Sequence, residues 1–203
     1  MSARSPSSTD DRLPIAVLVS GKGTNLQALL DTVHGHEAEV VAVASSTPKA
    51  PALRKAIKRG VPTAIFCRSD YIDRQERDEA MAEWLRESGA RLVVLAGFME
   101  LLSEHFLDHF PESVINVHPS LLPSYPGLHS IERALADGAK VFGVTVHYVD
   151  TGIDTGPIIL QGSREVPHAS DPAKVLTALR PLEHTLLPEA VKLIAAQRPL
   201  IAA

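Results

Sequence analysis

A single cysteine, Cys67, stands in 203 residues, so no intramolecular disulfide and no multi-cysteine zinc site can form. On its own it reads as a small buried apolar residue rather than a nucleophile. The chain also lacks an excess of charge of one sign. Twenty Lys and Arg against 24 Asp and Glu leave a net charge of −4, which excludes whole-molecule attraction to nucleic acid. No apolar run approaches the length of a membrane span. The opening MSARSPSSTDDRLP has no hydrophobic region of a secretory signal, and the IAVLV that follows is too short to supply one. Residues 1–13 are therefore expected to be a frayed tail on a cytoplasmic protein with no membrane and no nucleic-acid partner. Familiar motifs are missing too. There is no GxxxxGK[ST], no GxSxG and no HExxH, and Leu26 stands where GxGxxG needs its third glycine.

What is present is ordinary in bulk and specific in detail. Apolar residues make up 45% and charged residues 22%, the balance of a globular domain long enough to bury a core. From residue 14 short β-branched runs alternate with helically spaced segments. Strands are expected at 14–19, 40–44, 63–66, 92–95 and 114–117, with helices near 25–34, 51–60, 70–89 and 101–109. In the third helix Met81 with Leu85, and Ala80 with Trp84, form i,i+4 pairs. Continuous apolar strands separated by helices imply βαβ units, hence an α/β, Rossmann-like, mostly parallel twisted sheet covered on both faces. The last third differs. VFGVTVHYV (141–149) alternates strictly, with Phe142, Val144, Val146 and Tyr148 on one face, and PIILQG (157–162) follows too soon for a crossover. These two read as an antiparallel edge. Asp171-Pro172 opens a final helix as N-cap and first residue, and Pro181 and Pro188 inside it predict a kink or a break. No repeat or linker divides the chain. The expectation is one domain over 14–203 in two subregions, 14–112 and 113–203.

Two places carry chemistry. The first is SGKGTN (20–25), where Gly21 and Gly23 allow a tight turn and Thr24 and Asn25 enter a helix whose free N–H groups favour an anion. A plain glycine turn fits the motif equally well, but its place after the first strand favours the phosphate reading. The second is NVHPSLLPSYPG (116–127) together with DTGIDTGP (150–157). Asn116 and His118 alternate off a strand end and so point to one side, equipping the site for a carbonyl that becomes an oxyanion. Asp154 sits in a glycine-flanked loop and can reach His118, where its carboxylate would hold the imidazole charged. Each residue has a plain alternative: turn amide, surface ring, Asx-turn carboxylate. His105 and His109 have the i,i+4 spacing of metal ligands but no third partner, so no metal is expected. Arg54, Lys55, Lys58 and Arg59 read as an exposed basic helix face.

At these residues the sequence resembles the phosphoribosylglycinamide formyltransferase (glycinamide ribonucleotide transformylase) family. The resemblance runs from about residue 14 to about 195, through IAVLVSGKGTNLQALL, VVLAGFMELLS, INVHPSLLPSYPGLHS, GVTVHYVDTGIDTGPIILQ and LEHTLLP. It implies the formyltransferase fold and transfer of a formyl group from 10-formyltetrahydrofolate, a co-substrate, to the primary amine of glycinamide ribonucleotide in purine biosynthesis. It implies Asn116, His118 and Asp154 as catalytic residues, and Gly23, Thr24, Asn25 and Glu183 as contacts to the ribonucleotide. For folate it implies Arg74, Met99, Glu100, Leu101 and Leu102, largely through main chain, with Asn116 beside them. Glu100 departs from the basic or other residue that many members carry, and Pro181 lies two residues before Glu183. The resemblance also implies a cis Leu122-Pro123 bond and a monomer or homodimer.

Rival readings remain. Formyltetrahydrofolate hydrolase shares this core but carries an N-terminal regulatory domain, and methionyl-tRNA formyltransferase needs a C-terminal nucleic-acid-binding extension. A non-catalytic nucleotide- or folate-binding module would not need Asn116, His118 and Asp154 together.

Overall fold

In the computed structural model, which describes residues 12–197, β-branched and aliphatic runs form the sheet and the helically spaced segments cover it. The parallel part comprises β1 (Leu13–Val19), β2 (Ala38–Ser45), β3 (Thr63–Ile65), β4 (Leu92–Leu95) and β5 (Val114–His118). Between them run α1 (Thr24–Thr32), α2 (Ala52–Lys58), α3 (Arg74–Glu87) and α4 (Glu104–His109). After β5 come α5 (Ser130–Ala136), β6 (Val141–Tyr148), β7 (Ile158–Glu165) and α6 (Pro172–Ala196). The strand order is β3-β2-β1-β4-β5-β6-β7; β5 and β6 pair antiparallel, as do β6 and β7. The expected α/β class and antiparallel edge are both present.

Each central strand is apolar on both faces because each face has its own core. Ile15, Val17 and Val19 of β1 pack with Leu26, Leu29, Val175, Leu179 and Leu187 from α1 and α6. Ala16 and Leu18 pack on the other side with Met81, Leu85 and Phe106 from α3 and α4. Period-two alternation thus divides the central strands between two layers. Phe142, Val144 and Val146 face the α6 layer, with Tyr148 partly buried against it.

Several boundaries moved for local reasons. Leu13 is 1% exposed and begins β1, so it is not part of a tail; residues 1–11 lie outside the described residues. The third helix starts at Arg74 rather than 70 because Asp73 caps it, accepting from Glu76 N at 2.9 Å while Glu76 bonds back to Ile72 N. The fourth starts at Glu104 behind the Ser103 cap, which leaves 101–103 outside the helix. Asp171 caps α6 as expected, and α6 runs unbroken through Pro181 and Pro188. Proline removes a bond on one turn, but Leu179, Leu187, Ala190 and Val191 remain buried on both sides of the break points, and packing carries the helix through. Cys67 is half-buried rather than buried. The expected division after residue 112 falls between β4 and β5, neighbours in one continuous sheet. Among the described residues no helix is long and apolar enough to cross a membrane.

Candidate active site

A cleft of about 360 Å³ opens where β4 and β5 end, between the 97–102 segment on one side and the 127–130 and 150–154 loops on the other. This is the carboxyl end of the parallel strands, where open α/β sheets hold their ligands. Asn116 and His118 line it together with Asp154, so the three residues expected to converge do so.

The geometry follows from strand register. Asn116 and His118 share a face of β5 with Val114, and that face belongs to the α3–α4 side. Across the antiparallel pair Asn116 stands opposite His147 and His118 opposite Thr145, so these four side chains emerge on one face. Asn116 Nδ2 is 3.3 Å from His147 Nε2 and 3.4 Å from Asp154 Oδ1. His147 Nδ1 donates to the Tyr148 carbonyl at 2.7 Å, which leaves Nε2 as acceptor for the Asn116 amide. His147, 1% exposed, was not singled out from the sequence. Its signal was there: Thr145 and His147 are the polar positions of a strand whose other face is wholly apolar.

Asp154 is held from three sides. Its backbone adopts a left-handed conformation with φ 54, tolerated by Asp better than by most residues. Asp150 organises the loop, accepting from Gly152 N at 3.0 Å and Thr155 Oγ1 at 2.8 Å. Gly156 is obligatory, because a Cβ there would lie 1.9 Å from the Tyr148 carbonyl oxygen. The Asp154 carboxylate accepts the Gly127 N–H at 2.7 Å, and Oδ2 lies 3.2 Å from His118 Nδ1. Burial alone would raise its pKa; the neighbouring His147 ring, the Gly127 N–H and the charge at His118 outweigh burial and hold it at about 2.

His118 departs from expectation. Asp154 does pull its pKa upward, as does the Tyr125 carbonyl that Nε2 meets at 3.0 Å, but burial is the larger effect and the net direction is down. A ring 6% exposed loses more by desolvation than one carboxylate returns. The carboxylate is held ionised, while burial disfavours the charged form of the imidazole.

The NVHPSLLPSYPG loop is fixed behind the site by a polar cluster centred on the buried Thr145. Thr145 Oγ1 donates to Ser120 O at 2.7 Å and accepts from Leu122 N at 3.2 Å, while Gln161 Nε2 donates to Leu122 O at 2.9 Å. The Leu122-Pro123 bond is cis, as expected.

The glycine loop forms a second region beside the first. Gly23 has φ 67, and a Cβ there would meet Ala52 Cβ at 2.5 Å, so only glycine lets α1 and α2 approach. Lys55 of the basic run donates to Gly23 O at 3.0 Å, and Arg59 to Leu30 O at 3.2 Å, so that face ties α2 to α1. Asn25 is brought to Glu183 across the α1–α6 contact, Nδ2 to Oε2 at 3.4 Å, and Asn25 Oδ1 is buried with no hydrogen-bond partner. Burial raises the Glu183 pKa, against the lowering by Asn25 and Arg180. Ser20 joins the regions: its Oγ accepts Met99 N at 3.0 Å.

Met99, Glu100, Leu101 and Leu102 form one wall of the cleft. Met99 is 70% and Leu101 59% exposed, an apolar surface facing outward. Among the described residues the amides of Glu100, Leu101 and Leu102 make no hydrogen bond within the protein, so the wall offers free main-chain groups. Arg74, exposed at the first position of α3, does not line the cleft. His105 and His109 do not make a metal site; His109 meets Glu79 at 2.8 Å and Arg86 at 3.3 Å. Among the described residues no group of three or more His, Cys, Asp or Glu is placed to hold a metal.

Known proteins resemble this chain in sequence and fold. The formyl transferase family model matches residues 13–191. The phosphoribosylglycinamide formyltransferase of Haemophilus influenzae is 36% identical over 180 residues, covering 88% of this chain and 85% of that protein. The trifunctional purine biosynthetic protein adenosine-3 of Drosophila melanogaster is 38% identical over 187 residues, 90% of this chain, which spans only 14% of that relative's length. The crystal structure of glycinamide ribonucleotide transformylase 1 from Symbiobacterium toebii superposes with a TM-score of 0.89 at 37% identity, covering 100% of this chain and 97% of the other.

Proposed function

The chain belongs to the phosphoribosylglycinamide formyltransferase family, and from that premise we propose that it transfers the formyl group of 10-formyltetrahydrofolate to the primary amine of glycinamide ribonucleotide. The observation that carries the reading is the convergence of Asn116, His118, His147 and Asp154 at the floor of one cleft. A binding module has no use for a carboxylate held ionised beside a desolvated imidazole.

The folate ring system would lie against Met99 and Leu101 and hydrogen-bond the free main-chain groups of 100–102. Arg74 lies one turn before Arg77 and Asp78 on the α3 face that meets this wall, a position suited to the acidic end of the co-substrate. The ribonucleotide phosphate would take the Gly23–Asn25 turn, with the Asn25 and Glu183 side chains toward its sugar and amine. Ser20 bridges the two regions, so the amine and the formyl carbon arrive at one place.

The amine nitrogen attacks the formyl carbon, and the carbonyl electron pair moves onto oxygen. Asn116 Nδ2 would donate to that oxyanion, exchanging its long 3.4 Å contact to Asp154. Burial lowers the His118 pKa, and developing negative charge beside it favours its protonated form. The attacking amine loses one proton, through water, to the His118–Asp154 pair. As the tetrahedral centre collapses, the C–N10 bond breaks and the proton returns to N10. Asp154 stays ionised throughout and holds the imidazole in place.

The absorbance change of folate deformylation, followed with and without glycinamide ribonucleotide, tests the reading. Strict dependence on the amine is expected. Formate release in its absence would replace it with the hydrolase, and no turnover in either case with a binding module.

A further inference from the structure

Arg77 is the largest fully buried side chain among the described residues, at 0% exposure, and nothing in the reaction above uses it. A guanidinium taken from water must have its donors met. Nε and Nη2 both donate to Asp78 Oδ1, at 2.9 and 2.5 Å. The remaining nitrogen, Nη1, has no hydrogen-bond acceptor and lies against Glu100 Oε2 as an ion pair. The second Asp78 oxygen, Oδ2, accepts the Ser103 N–H at 2.6 Å. The pair on α3 therefore grips the cleft wall at two points three residues apart, Glu100 by side chain and Ser103 by main chain. A third tie, Ser20 to Met99 N, fixes the near end. Between these ties the wall makes no backbone hydrogen bond of its own, and its Met99 and Leu101 side chains are mostly in solvent. Without the ties it has little to hold it in one shape.

We propose that Arg77 is a positioning residue which, through Asp78 and Glu100, fixes the 99–103 wall in the conformation that receives the formyl donor. This rests on the reading that the wall binds the folate. It also accounts for the acidic residue at 100: Glu100 turns its carboxylate to the buried guanidinium and leaves its main chain to the cleft. Arginine suits the role where lysine would not, since one planar fork meets two carboxylates.

Two variants of the full chain test this. Glu100→Gln removes charge at the end of the tie where the side chain is 33% exposed, and leaves the Arg77–Asp78 pair intact. Arg77→Met removes the buried end. In hydrogen exchange on the substrate-free protein, amides of 98–103 should exchange roughly three- to tenfold faster in both, and those of β1 and β6 should not. In steady-state assays the KM for 10-formyltetrahydrofolate should rise by a similar factor, while kcat and the KM for glycinamide ribonucleotide change by less than about twofold. Unaltered exchange of 98–103 in Glu100→Gln overturns the proposal, as does a fall in kcat with the donor KM unmoved. Should Arg77→Met fail to fold, Glu100→Gln decides alone. Absence of transfer by the unaltered chain would overturn the proposed function, and the exchange result would still decide whether Arg77 holds the wall.

Discussion

Asn116 and His147 stand directly opposite each other across β5 and β6, with Asn116 Nδ2 3.3 Å from His147 Nε2. That contact fixes the amide's orientation. With His147 Nδ1 spent on the Tyr148 carbonyl, Nε2 can only accept, so the Asn116 nitrogen rather than its oxygen faces inward. The imidazole thereby decides which end of the amide meets the oxyanion.

His147→Phe keeps the ring's bulk and removes its acceptor. The amide is then free to turn, and kcat should fall by roughly 10- to 100-fold, the scale of losing a group that orients a catalytic one. The donor KM should move by only a few-fold. Steady-state kinetics on both substrates would check this, and an unchanged kcat would remove His147 from the orienting role.

Asp154→Asn is expected to lower kcat by about 10²–10⁴ with far less effect on folate binding. The same variant tests the carboxylate's contribution to stability. Its folded pKa of about 2 lies below the ordinary 3.8, so the unfolded chain binds more protons between those values. Its contribution is complete above about pH 4 and is lost as pH falls through 2, amounting to about 2 kcal/mol. Denaturant titrations from pH 5 to 2 should show a shallower acid loss in Asp154→Asn.

Glu183→Gln should separate stability from function. Burial raises the Glu183 pKa, so its ionised form is disfavoured in the fold and stability declines as pH rises through the folded value. Removing the charge while keeping the shape should stabilise the protein at neutral pH by about 0.5–2 kcal/mol. The KM for glycinamide ribonucleotide should rise. A lower Tm together with an unchanged KM would defeat both expectations.

Gly23→Ala places a methyl 2.5 Å from Ala52 Cβ and 2.8 Å from Ala52 Cα, at a φ of 67. Because the obstruction includes backbone, α2 must move. A loss of about 1–3 kcal/mol in urea unfolding is expected, with weaker binding of the ribonucleotide. Gly21→Ala meets nothing within 4 Å and serves as the control.

Much of this was legible in the sequence because it is local. The runs at 92–95 and 114–117 became β4 and most of β5, since a strand buried on both faces must be apolar at every position. The Asp171-Pro172 start of α6 was readable because a cap acts within three residues. Asn116 and His118 were placed on one side by strand alternation alone. The start of α4 was less visible: LLS continues a helical pattern, and only the Ser103 cap and the Asp78 bond to Ser103 N keep 101–103 extended as the cleft wall.

The sequence by itself determined the fold class, the two layers over the sheet, the antiparallel edge and the placing of Asn116 and His118 on one side of a strand. Each depends on periodicity or on residues a few positions apart. Tertiary structure alone decided that His147 faces Asn116, because that pairing depends on the register between strands 31 residues apart. It also decided that Arg77 grips Glu100 and that the His118 pKa moves down rather than up. The last is the clearest case. A sequence can place a carboxylate near an imidazole, but the sign of the pKa shift depends on how much water the fold removes from the ring, and burial outweighs the charge.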